Sequence, residues 1–180
     1  DISFDKNIGM PDMTYGWAKL TCEYLGRIAF EKYGIQSICY RPFSGYGEDQ
    51  DLNYPVPSIV KRVVNNKKKK PIHIWGSGKQ KRDFIYIDDC VDAVMSTKDL
   101  INDGSSLNLS SGKYTSFFEL TKLLCNICGY KSEIIPQNKK PEGVFARAGC
   151  TKKLRKYGYR LKTSLEEGMT KVIKYYEKKD

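Results

Sequence analysis

One stretch limits the possible folds more than any other: between residues 12 and 40 the hydrophobic period changes with no linker in between. Ala18, Cys22, Leu25, Ala29 and Tyr33 recur every three or four residues, the spacing of one helix face. Gly34 follows as a C-terminal cap. Ile35 to Tyr40 is then a short β-rich run, so a helix from Asp12 to Tyr33 is expected to pass through one glycine turn into a buried strand. Helix, turn and strand in direct succession make an α/β unit.

The rest of the chain continues in this style. A Gly-rich loop, Arg41-Pro42-Phe43-Ser44-Gly45-Tyr46-Gly47, leaves the C-terminal end of that strand, where open α/β sheets place their ligands. A helix is expected over Pro57–Asn66, then a lysine run, then a short strand, Ile72–Trp75, that stops at Gly76-Ser77-Gly78. Phe84–Ile87 reads as a strand running into Asp88-Asp89, a double N-cap candidate for a helix over Cys90–Ile101, and Leu107–Leu109 as a further strand. Ser116 and Glu119 form a capping box for a helix that Gly129 closes, and Thr163 and Glu166 a second box for the last helix. A short helix is expected over Thr151–Tyr157.

At 180 residues the chain can bury one substantial core. No apolar run approaches the roughly 20 residues of a membrane helix, and the start, Asp1-Ile2-Ser3-Phe4-Asp5, lacks the layout of a signal peptide. A cytoplasmic protein without membrane association is the expectation. Six cysteines are spread through regular segments and read as reduced, mostly buried thiols. Cys125 and Cys128 lack a second pair to complete a zinc site, and one histidine, His73, cannot build a His-based metal site or a Ser-His-Asp triad; no metal is expected. The formal net charge of +10 admits polyanions or a phosphorylated small molecule. The aromatics form no stacking series for nucleic acid, which is not an expected partner.

Within the first helix, Tyr15-Gly16-Trp17-Ala18-Lys19 places a phenol and an ammonium four residues apart, on one face. A lysine cation beside a tyrosine favours the phenolate, which makes a proton-transfer pair; the plainer reading is a surface Tyr-Lys pair.

Four ordered motifs then point the same way: Y-x-x-x-K followed by a strand, an Arg-Pro-x-x-x-Tyr-Gly loop, the W-G-x-G-x-x-x-R-D-F-I-Y-I-D-D segment, and G-Y-x-x-x-T-S-L-E-E-G-M near the end. From about residue 12 onward the chain resembles the C-terminal half of an extended short-chain dehydrogenase/reductase of the nucleotide-sugar epimerase and dehydratase type. The resemblance implies an α/β fold, the C-terminal part of a Rossmann-type NAD(P)-binding fold plus a smaller α/β substrate-binding domain. Residues 1–50 would be the remainder of the Rossmann domain and 51–180 mainly the substrate-binding domain, with 84–110 returning to the Rossmann sheet. The family's first half, with its Gly-rich dinucleotide loop, would lie upstream of Asp1.

By the same resemblance Tyr15 is the catalytic acid/base, and Lys19 is catalytic and holds the nicotinamide ribose. Pro42 lies beside the nicotinamide. Ser44, Trp75, Arg82 and Arg147 bind the nucleotide sugar, the two arginines through its diphosphate and Trp75 against the base; a core tryptophan is the alternative for Trp75. Ser44 stands where many members carry Asn, Glu48 where Pro is usual, and Cys150 where Asp is common. The cofactor implied is NAD, with NADP open. The partners implied are a nucleoside-diphosphate sugar and a second copy in a homodimer. The competing function is a noncatalytic module that binds nucleoside diphosphates or a partner chain.

Overall fold

The computed structural model describes residues 14–66 and 70–179. Asp12 and Met13 of the expected first helix, and Lys67 to Lys69 of the lysine run, lie outside the described residues. The chain divides into two compact units. The first comprises residues 1–41, 91–109 and 150–160, the second 42–90, 110–149 and 161–180.

In the first unit, α1 (Tyr15–Tyr33) ends at Gly34, whose φ of 66° is the left-handed turn that glycine takes without steric cost. β1 (Ser37–Pro42) pairs with β6 (Asp103–Leu109). The period located α1 correctly but not its packing face. Leu25 and Tyr33 are exposed, no α1 residue is fully buried, and the helix approaches β6 through Gly26, Arg27 and Phe30 around Gly104. β1 is half-buried rather than buried. Glu23 on α1 pairs with Arg41 on β1. A short helix, α5 (Lys152–Lys156), fixes itself to β6 through Lys153 Nζ, which donates to Ser105 Oγ at 2.7 Å and to the Ser106 carbonyl at 2.8 Å.

The second unit holds a core shared by three amphipathic helices. They are α2 (Pro55–Val64), α4 (Phe117–Ile127) and α6 (Leu165–Lys179), which bury Val60 and Val63, Leu120 and Leu124, and Met169 and Val172. Phe84, Tyr86 and Tyr46 pack into the same cluster, with Phe84 edge-on to Phe117 at 5.9 Å. Gly168 lets α6 lie against Tyr46, since a Cβ there would come within 2.9 Å of the Tyr46 Cζ. Tyr46 is therefore a core residue, its hydroxyl pushed up by burial.

Short strands frame this core. β2 (Gly45–Tyr46) runs parallel to β5 (Ile85–Tyr86), and β3 (Ile72–Trp75) parallel to β8 (Ile134–Gln137). β4 (Lys81–Arg82) lies between antiparallel β7 (Thr115–Ser116) and parallel β9 (Ala146–Arg147). Among the described residues no helix is long and apolar enough to cross a membrane.

Two caps differ from expectation. α3 (Ile87–Thr97) begins one residue before Asp88, so Asp88 and Asp89 stand in its first turn, where carboxylates suit the positive end of the helix dipole. Asp89 accepts the backbone N–H groups of Lys162 at 2.8 Å and Thr163 at 3.0 Å instead of capping α3. With the Thr163 amide committed there, the second capping box shifts one residue, to Ser164 and Glu167. The Ser116–Glu119 box forms as read.

Candidate functional site

Arg82 ends β4, Arg147 ends β9, and the parallel register sets the two arginines directly opposite each other. Partners in register on neighbouring strands share a face. Two guanidinium-bearing side chains therefore leave one face of the sheet together. Burial, and then the charge of Arg147, push the Arg82 pKa below the usual arginine range. Like charges so placed are unfavourable until an anion joins them. One Arg82 nitrogen donates to the Lys81 carbonyl at 2.8 Å and the Val144 carbonyl at 2.7 Å, which holds the guanidinium against the segment that leads into β9.

Arg82 and Trp75 line one cleft of about 160 Å³, with Tyr54, Arg62, Phe117 and Glu142. Along β3, Ile72 and Ile74 are buried while His73 and Trp75 face outward, the two-residue alternation of a strand. Trp75 is 54% exposed, with Lys140 Nζ 5.5 Å from its ring centre; it is not the core tryptophan that the sequence also allowed. Glu142 braces the turn that follows β3, accepting from Ser77 Oγ at 2.6 Å. Arg62 donates to the Ser58 carbonyl at 3.1 Å and to the His73 carbonyl, and burial lowers its pKa. The cleft joins an open aromatic face to the guanidinium groups of Arg62 and Arg82, while Arg147 is not among its lining residues. An aromatic face beside guanidinium groups suits a flat ring carrying an anion.

Pro42 closes β1 and is exposed, and Ser44 follows in the left-handed region with φ 25°. Neither lines the cleft. A serine at positive φ is uncommon outside turns, and here it sits in the tight passage from β1 to β2.

Tyr15 and Lys19 belong to the first unit. They occupy the first turns of α1, Tyr15 is 68% exposed, and Lys19 Nζ stands 5.4 Å from the Tyr15 ring centre. An exposed hydroxyl and an exposed ammonium on one helix face fit a ribose diol, which needs both donors and acceptors. Among the described residues no group of three or more His, Cys, Asp or Glu is placed to hold a metal ion.

Several contributors escaped the sequence. Arg62 and Phe117 read as helix residues, Tyr54 precedes the expected helix, and nothing in their spacing marks a cleft. Glu142 stands in a loop, and its partner Ser77 is 65 positions away.

The family model for the NAD dependent epimerase/dehydratase family matches residues 5–108, more than half of the chain. A GDP-L-fucose synthase of Sinorhizobium fredii is 32% identical over 163 residues, 87% of this chain and 52% of the relative. The chain spans about half the length of the curated relatives it matches. Among solved structures, a UDP-glucose 4-epimerase of Thermotoga maritima, determined with UDP-glucose, aligns with a TM-score of 0.82 at 26% identity, over 96% of this chain and 59% of that one. RMD of Pseudomonas aeruginosa, solved with NADPH, shares the fold with a TM-score of 0.86 at 20% identity, over 96% and 59% of the two chains. The fold is thus the mixed α/β fold of the Rossmann-type epimerases, and the chain belongs to the NAD dependent epimerase/dehydratase family.

Proposed function

We propose that the natural protein is an NAD-dependent nucleotide-sugar epimerase or dehydratase, with NADP as the alternative cofactor. The observation that carries this reading is the pairing of Arg82 and Arg147 in register beside a cleft with an exposed tryptophan. A diphosphate answers the two positive charges with paired charge-assisted hydrogen bonds, and a base can stack on Trp75. In this reading residues 51–180 are mainly the substrate-binding part, and residues 1–50 with 84–110 belong to the cofactor-binding part. Ser44 serves the substrate and Pro42 the nicotinamide.

The nicotinamide, when bound, supplies the hydride acceptor. Tyr15 Oη takes the proton of the sugar hydroxyl as the carbon bearing it becomes a carbonyl, and returns the proton on reversal. Lys19 supplies positive charge beside that oxygen and a donor for the ribose hydroxyls. The protein of this reading acts in the cytoplasm as a homodimer.

The test is Tyr15→Phe in the natural protein, assayed on GDP- and UDP-sugars with NAD and NADP. Turnover is expected to fall by about 100- to 10,000-fold, the usual contribution of a positioned acid/base, with nucleotide-sugar affinity within a few fold. Undiminished turnover overturns the assignment.

A further inference from the structure

Beside Arg82 stands a carboxylate that the proposed chemistry does not use. Asp83 is fully buried and accepts four hydrogen bonds. Ser111 N and Ser111 Oγ both donate to its Oδ1 at 2.7 Å, and Gly112 N donates to Oδ2 at 2.9 Å. The fourth donor, Gly149 N at 3.1 Å, follows β9 by two residues. Asp83 itself directly follows the last residue of β4.

One buried carboxylate therefore ties together the ends of the two strands that carry the arginines. β9 is two residues long and both are exposed. Beside its pairing with β4, Lys81 N donates to the Phe145 carbonyl at 2.7 Å before it, and Ser110 Oγ to the Gly149 carbonyl at 3.0 Å after it. Asp83 supplies the charged part of this small set of ties. The repulsion between Arg82 and Arg147 acts to part the strands. A charged acceptor of backbone N–H groups opposes that more strongly than a neutral one. Gly149 also fits closely, since a Cβ there would come within 2.6 Å of Ser110 Oγ and 2.8 Å of Phe43 Cε2. The segment after β9 thus has little room to move while the clamp holds.

We propose that Asp83 is a positioning residue for anion binding: its carboxylate clamps Gly149 to β4 and so holds Arg147 in register with Arg82. This rests on the reading of the arginine pair as a diphosphate site. Asp83 acts through Arg147 and does not touch the ligand. Its replacement by Asn keeps the shape but leaves an amide where four donors converge.

The experiment titrates inorganic pyrophosphate, GDP and UDP into the natural protein, its Asp83→Asn and Arg147→Ala variants, and the double variant. Asp83→Asn is expected to weaken pyrophosphate and the tighter nucleotide by about tenfold, the scale of one charge-assisted hydrogen bond. In the Arg147→Ala background the same change is expected to cost less than about twofold, because residues acting through one another are not additive. A full loss in both backgrounds, or none in either, overturns the proposal while the diphosphate reading stands. Failure of all three ligands to bind the unmodified chain overturns both. A second measurement needs no variant: in hydrogen exchange of the unmodified chain, the Gly149 amide is expected to be protected alongside those of Ser111 and Gly112. An unprotected Gly149 amide refutes the clamp even if Asp83→Asn does not fold.

Discussion

The same six cysteines are chemically unequal once folded. Cys22 is exposed, Cys90 and Cys125 are buried, and Cys39, Cys128 and Cys150 lie between. Burial first, and a neighbouring carboxylate second, push Cys90 up to about 11 with Asp89 and Cys128 up to about 11 with Glu177. Only the thiolate reacts, and at pH 8 a thiol titrating near 11 is roughly one part in a thousand ionised. Alkylation with iodoacetamide at that pH is expected to reach Cys22 first and to leave Cys90 and Cys128 unmodified until unfolding. Peptide mass spectrometry checks the order, and an adduct on Cys128 ahead of Cys22 would refute it. The sequence suggested mostly buried thiols, but only Cys90 and Cys125 are buried, because position along the chain does not say which side of an element a thiol ends up on.

Among the elements, α4 was the most legible. Ser116 caps it through its Oγ, which accepts from Glu119 N at 3.1 Å, and Glu119 returns a carboxylate to Ser116 N at 2.7 Å. These bonds, backbone first, hold the Glu119 pKa below the usual glutamate range. A folded-state pKa lowered in this way makes a contribution that is present above the unfolded value and lost as pH falls through the folded one. Ser116→Ala is expected to cost about 1 kcal/mol. Glu119→Gln is expected to be less stable than the unmodified chain at pH 7 and to converge with it only as pH falls below the ordinary glutamate range of about 4.3, as followed by urea denaturation at each pH. A gap that persists in acid would show that the carboxylate is not the source. The box was readable because its bonds span three residues. The displaced box before α6 was not, because Asp89, 74 positions away from Thr163, claims that amide.

The whole molecule is strongly basic, and the charge of +10 is spread over both units. Within the second unit, Arg82 and Arg147 face each other across a ladder two residues long. Exposed charges weaken in salt as the screening length shrinks from about 10 Å at 0.1 M to about 3 Å at 1 M. Pyrophosphate and nucleotide affinities are therefore expected to fall severalfold over that range, as measured by isothermal titration. The matching nucleosides, which lack phosphate, are expected to bind with affinities that salt does not reduce. A salt-independent pyrophosphate affinity would remove Arg82 and Arg147 from the site.

Local patterns in the chain were enough to establish the helices, the α/β class and the family, because periods, caps and ordered motifs are short-range signals. The end of β3 at Trp75 was legible for the same reason, since Gly76-Ser77-Gly78 follows it, whereas the two-residue strand that ends at Arg82 was not. Which face of α1 packs, the pairing of β3 with β8, and the opposition of Arg82 to Arg147 were settled by folding. So were the donors that Asp83 and Asp89 collect. Each of these depends on backbone groups brought together from distant parts of the chain, and a hydrogen-bond partner 66 residues away, as Gly149 is from Asp83, leaves no trace in the spacing around either residue.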